Sequence, residues 1–153
     1  MQYESLENEI HAKGVEVINM RFRGTLKGLY ADNTIFINTK LETNAEKCCI
    51  LAEEIGHHYT TTGDITDQSK VENRKQEKQA RNWGYEELVG IMNIIKAFNA
   101  GTRNRYEMAE YLDITEEFLE ESIKHYKEKY GLFFEIDEYI VYFDPHFGVM
   151  KKF

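Results

Sequence analysis

No apolar run in these 153 residues reaches the roughly 18 that a membrane-spanning helix needs. The longest candidate, 88–95, is interrupted by Asn93. The first fifteen residues hold Glu4, Glu7 and Glu9, with Glu16 just after, which argues against a secretory signal or a basic transit peptide. The sequence therefore predicts a soluble, cytoplasmic protein with no membrane partner. Cysteine is almost missing: Cys48 and Cys49 stand side by side on a predicted helix. Neighbouring helical side chains point about 100° apart, poor geometry for a disulfide, so Cys48 reads as a small buried hydrophobe. Basic residues are outnumbered, 19 Lys and Arg against 27 Asp and Glu, and the net charge of −8 works against non-specific contact with nucleic acid. There is no internal repeat, low-complexity segment or flexible linker. With 42% hydrophobic and 13% aromatic residues, the chain can build a core, and its length predicts a single domain over 1–153.

The order of elements predicts an α+β fold. A helix over 3–13 ends at Gly14, and a strand follows over 15–20. Strand runs over 26–31 and 34–38 flank Asp32-Asn33, a pair suited to a hairpin turn. The sequence Thr43-Asn44-Ala45-Glu46 is a capping box that should open a helix running to about Thr60. A polar segment over 61–70 precedes one long helix over 71–99, stopped by Gly101. Helices over 105–112 and 115–130 meet at an Asp113-Ile114 corner, with Gly131 as a C-terminal stop. The tail, 132–153, alternates aromatic and polar residues, contains the one proline, Pro145, and predicts two or three strands. The expected plan is a small antiparallel sheet with packed helices (1–101), a helix-turn-helix-like unit (102–131) and a C-terminal β segment (132–153).

The chemistry concentrates in Leu51-Ala52-Glu53-Glu54-Ile55-Gly56-His57-His58-Tyr59. In the zinc-hydrolase helix H-E-x-x-H, two imidazoles one turn apart bind metal beside a glutamate that acts as general base. Here Glu53 takes the first position, Glu54 the base position and His57 the second ligand position. A carboxylate oxygen binds zinc at roughly 2.0–2.2 Å, about as closely as an imidazole nitrogen. With Leu51 at zero, Cys48, Ile55, His58 and Tyr59 fall within about 80° and form an apolar stripe, while Glu53 and His57 lie opposite. Glu54 and His58 share the same spacing, but that register would pull His58 out of the stripe, where it reads as a packed core histidine or one that orients a neighbour. The plainest alternative is a solvated face with a Glu–His contact. A hydrolase needs a third ligand, and Glu77 stands twenty residues after His57, on a helix that can fold back antiparallel.

These residues resemble the ImmA/IrrE family of metallo-endopeptidases, in particular the small form found in prophages and mobile elements of Gram-positive bacteria. The likeness runs from Leu29-Tyr30 and Ile35-Phe36-Ile37-Asn38 through the 51–59 segment and Glu77-Lys78-Gln79-Ala80-Arg81-Asn82-Trp83, then through Met108-Ala109-Glu110-Tyr111-Leu112 to the β tail, so it covers nearly the whole chain. It implies a zincin-like fold, metal ligands at Glu53, His57 and Glu77, and a general base at Glu54. The departure is Glu53, where the wider family has histidine. Two carboxylates neutralise more of the charge of Zn²⁺ and weaken it as a Lewis acid, and the harder ligand set makes Mn²⁺ or Fe²⁺ more competitive. The resemblance also implies a protein substrate, a helix-turn-helix repressor encoded nearby. Candidates for stabilising the developing oxyanion are Tyr59, Tyr85, His125 and His146, with His58 as a further accessory residue. The strand over 34–38, if it lies at a sheet edge, would bind substrate by strand addition.

Two other functions stay open. A relative that binds the repressor without cutting it would also carry the Glu53 change. The 106–130 segment can be read as a DNA-binding helix-turn-helix. Its second helix would then present Glu116, Glu117, Glu120 and Glu121 to phosphates, which is strongly unfavourable. Packing or protein docking fits that unit better than nucleic acid.

Overall fold

The computed structural model describes residues 2–60 and 71–152, so the polar segment over 61–70 lies outside the described residues. Packing divides the chain into two compact units, Met1–Gly84 and Tyr85–Phe153. Both mix helix and strand, so the α+β class holds. Among the described residues no helix is long and apolar enough to cross a membrane.

In the first unit, α1 (Gln2–Ala12) buries Leu6 and Ile10, and Gly14 at φ 86° turns the chain into β1 (Glu16–Met20). The hairpin β2 (Gly28–Ala31) to β3 (Thr34–Asn38) forms where Asp32-Asn33 predicts it. Both turn residues take positive φ, 50° and 58°, the backbone of a two-residue turn whose twist suits the strands. The sheet order is β1-β3-β2, with β1 parallel to β3 and β2 antiparallel to it. The first sheet is therefore mixed, not wholly antiparallel. Its centre is β3, which carries the buried Ile35, Ile37 and Asn38. That position corrects the strand-addition expectation: Thr34–Asn38 has a partner on both sides and no open edge.

Among the described residues the open edges of this sheet are β1 and β2. Asn38 N donates to the Lys27 carbonyl at 2.9 Å, which sets the phase of the β2–β3 ladder. Bonded positions alternate along an antiparallel pair, so Leu29 and Ala31 face β3. The N–H and C=O groups of Gly28 and Tyr30 then point out of the free edge of β2.

Helix α2 (Asn44–Thr60) opens on the predicted box: the Glu46 amide donates to Thr43 Oγ1 at 3.1 Å. Helix α3 (Val71–Leu88) runs antiparallel against it. Gly56 abuts Ala80 and Gly84 meets Ala52, so the two helices touch through small residues. The predicted long helix over 71–99 is in fact two, α3 and α4 (Ile91–Asn99), broken at Val89-Gly90. Gly90 is extended (φ −61°, ψ 154°) and serves as the N-cap of α4. Asn93 Nδ2 donates to the Leu88 carbonyl at 3.4 Å, taking up a group left open where α3 ends.

The second unit continues with α5 (Arg105–Leu112) and α6 (Glu116–Tyr130), joined at Asp113 in the left-handed region. Thr115 caps α6 by accepting from the Phe118 amide at 3.0 Å. Glu116, Glu117, Glu120 and Glu121 are all exposed. Strands β4 (Phe133–Ile136), β5 (Tyr139–Tyr142) and β6 (Gly148–Lys151) form an antiparallel meander, with a cis Asp144–Pro145 bond between the last two. Tyr126 donates its hydroxyl to the Val89 carbonyl at 2.8 Å from the floor of this unit.

Candidate metal centre

The site is built where α2 and α3 touch. A side chain on Gly56 would run into the Ala80 peptide, with the carbonyl carbon only 2.9 Å from its Cβ. The bare glycine lets the two backbones close up, and the side chains one position away meet. The helical spacing of Glu53 and His57 aims both at α3, from which Glu77 answers. Ligand-capable atoms of Glu53, His57 and Glu77 all lie within 4.8 Å of one another. His57 Nε2 stands 3.3 Å from Glu77 Oε2. The triad singled out from spacing is thus brought together.

Helix α2 is not a one-stripe amphipathic helix. His57 and Glu54 are each 7% exposed, while Tyr59, expected in the apolar stripe, is 43% exposed. His58 is half-buried rather than a core residue. The wheel assumed a single packed face, but α1, the sheet and α3 all pack against α2. His58 instead ties α2 to the hairpin. Its Nδ1 lies 2.7 Å from Tyr30 Oη, and that hydroxyl donates to Asn33 Oδ1 at 3.2 Å. The Tyr30 hydroxyl thus links His58 on α2 to Asn33 at the hairpin turn. Tyr59 packs its ring against His58 and Trp83, with Lys13 Nζ 5.1 Å over its face.

Strand β2 crosses close above Glu54. A Cβ on Gly28 would stand 2.6 Å from Ile50 Cγ2 and 3.2 Å from Glu54 Cγ, so a glycine is what the approach tolerates. The open edge of β2 therefore runs beside the predicted base. Sequence reasoning missed Gly28, Tyr30 and Arg81 as parts of the site. For Gly28 the available signal was a glycine inside a strand pattern, which marks close backbone approach.

The electrostatics describe a site short of a cation. Burial pushes the Glu53 carboxyl up, and a hydrogen bond shared with Glu77 adds to it. Glu77 is held low, first by its hydrogen bond with His57. Burial works against the charged form of His57, yet Glu77, Glu54 and Glu53 together hold it above its ordinary value. Burial pushes Glu54 up to about 7, against the pull of His57. Its Oε2 is buried with no hydrogen-bond partner among the described residues. Two carboxylates, one imidazole and an unsatisfied buried oxygen are a donor set that fits a divalent cation.

The remaining candidates belong to the second unit. Tyr85 packs against Phe118 and His125. His125 Nε2 lies 3.0 Å from Glu86 Oε2, and Lys129 holds the other oxygen of Glu86 at 2.7 Å. His146 is exposed between β5 and β6.

A search of curated proteins found no match. A sequence profile of the peptidase family described as IrrE N-terminal-like domain matches residues 10–124, a span that holds the hairpin, α2 and Glu77. With most of its length inside that match and a carboxylate–imidazole triad at its centre, the chain belongs to this family of peptidases.

Proposed function

We propose that the protein is a metal-dependent endopeptidase, with Glu53, His57 and Glu77 holding the metal and Glu54 acting as general base. The observation that carries this reading is the convergence of those three side chains from two helices. Zn²⁺ would suit a donor set of one nitrogen and two oxygens, and the second carboxylate keeps Mn²⁺ and Fe²⁺ competitive. A divalent metal held by these residues would supply Lewis acidity toward a peptide carbonyl and toward water. Glu54, buried with an Oε2 that has no hydrogen-bond partner among the described residues, takes the proton from the attacking water and delivers it to the leaving amine nitrogen.

Substrate joins along β2, where Gly28 and Tyr30 leave main-chain donors and acceptors outward and Glu54 lies beneath Gly28. The natural substrate is a protein, and we take it to be a helix-turn-helix repressor of a prophage or mobile element, met in the cytoplasm. The experiment measures metal content by elemental analysis, then follows fragments by mass spectrometry after mixing with the neighbouring repressor. Glu54→Gln should keep its metal and lose roughly 10²- to 10⁴-fold in cleavage. Cleavage that survives in that variant removes Glu54 from the base role. Wild-type protein that binds metal and repressor without producing fragments would instead be a non-catalytic antagonist.

A further inference from the structure

The metal reading leaves one charged side chain unaccounted for. Arg81 stands on α3 one turn beyond Glu77, and its guanidinium reaches both carboxylates of the triad. Nε lies 3.6 Å from Glu53 Oε1, and Nη2 lies 3.5 Å from Glu77 Oε1. These are ion-pair separations rather than hydrogen bonds. The other oxygen of Glu77, Oε2, faces His57 Nε2 at 3.3 Å. Glu77 is thus held from two sides, by a cation on one oxygen and an imidazole on the other.

The side-chain chemistry favours this arrangement. A guanidinium is planar, permanently charged, and carries donors along two edges, so a single arginine can address carboxylates on two different helices. Lysine gathers its three donors on one compact nitrogen and imposes no fixed spacing on two carboxylates. As a stability device the contact is weak, because Arg81 is 52% exposed and half-exposed ion pairs contribute little. As a positioning device it has more to offer. Glu53 and Glu77 sit close enough to interact directly, and a cation laid across one oxygen of each constrains how far apart they sit.

We propose that Arg81 is a positioning residue of the metal centre, bridging one oxygen of Glu53 and one of Glu77 so that the ligand set is held ready before the ion arrives. This inference rests on reading Glu53, His57 and Glu77 as the ligands. It assigns Arg81 no contact with substrate. It also gives the second carboxylate of this site a reason to be tolerated: an arginine within reach offsets the added negative charge. The opposite role, a built-in cation that competes with the metal for the same carboxylates, predicts the reverse effect on affinity.

The test uses the full chain, stripped of metal with a chelator. Affinities for Zn²⁺ and Co²⁺ are measured by competition with a chromophoric chelator for wild type, Arg81→Met and Arg81→Lys. Partners of metal ligands typically change metal affinity about 10- to 100-fold when replaced. Arg81→Met should lose at least tenfold, and its Co²⁺ absorption bands should move because the ligand geometry has relaxed. Arg81→Lys should recover only part of both. A loss smaller than tenfold with unmoved bands, tighter binding, or full recovery by lysine overturns the proposal. Wild-type protein that binds neither ion fails the ligand reading itself, a result separate from any effect of Arg81. The side chain is half in solvent, so its replacement opens no cavity, and circular dichroism of the metal-free variants checks that the helices are intact.

Discussion

Gly56 and Ala80 lie so close that a methyl group on the first would occupy the peptide of the second. The contact is backbone against side chain, and a backbone carbonyl moves only if its helix moves. Replacing Gly56 by alanine gains up to about 1 kcal/mol in helix propensity. Overpacking costs typically about 1–3 kcal/mol, and more where the neighbour cannot yield. Gly56→Ala should therefore be a net loss of about 1–2 kcal/mol in urea denaturation, accompanied by weaker metal binding as α3 carries Glu77 away. A variant as stable as wild type would show that the helices have slack between them.

Metal should stabilise the fold, because its ligands come from two helices. At a free ion concentration 100 times the dissociation constant, linkage gives about 2.7 kcal/mol. For a chain of this size that is roughly 5 to 10 °C in Tm. Zn²⁺ should shift the melting of wild type by about that much and leave His57→Ala almost unmoved. Equal shifts in both proteins would place the binding elsewhere.

Tyr30→Phe removes the hydroxyl that joins His58 to Asn33. Both partners are within reach of water, so the cost should stay near the ordinary ~0.5–1.5 kcal/mol of one hydrogen bond. The local effect should be larger than the global one. Amide exchange of Leu29 and Ala31 should speed up relative to that of Ile35 and Ile37, and equal protection in both strands would mean the hairpin holds without its tie to α2.

Glu86 gives the second unit a pH dependence with a definite sign. Burial alone would raise its carboxyl, but hydrogen bonds from Lys129 and His125 outweigh burial and hold it below the ordinary value. A depressed folded value stabilises the fold above the unfolded carboxylate's pKa of about 4.3 and is lost as pH falls through the folded value. The stability gap between wild type and Glu86→Gln should be about 0.2–1 kcal/mol near pH 7, discounted for exposure, and should close in acid. A gap that widens toward low pH would reverse the assignment.

Several of these features were legible from residue order alone. Asp32-Asn33 announced the hairpin because few residues accept two successive positive φ values, and Thr43 with Glu46 marked the start of α2. The i,i+4 spacing put Glu53 and His57 together, and a following helix able to fold back offered Glu77 as the third ligand, though nothing local ties residues twenty apart to one point. The break at Val89-Gly90 was hidden inside the longest apolar run, where continuity of hydrophobicity outvoted a single glycine. The parallel pairing of β1 with β3 leaves no mark in period-two alternation, which records faces and not neighbours. The burial of His57 and Glu54 also escaped the helical wheel, because a wheel supposes one covered side and α2 is covered on several. Nothing in the residue order singles out Arg81; the fold alone brings it across the two acids.

Along the rim of β2, Gly28 and Tyr30 turn two amides and two carbonyls outward. A peptide ladder by itself cannot tell one amino acid from another. What it can tell is shape: a stretch already drawn out straight, with its own amides unspent, will lie along it, and a coiled or folded stretch will not. Victims would then be sorted by where they come undone, and a target could not escape by swapping side chains in the segment that is gripped.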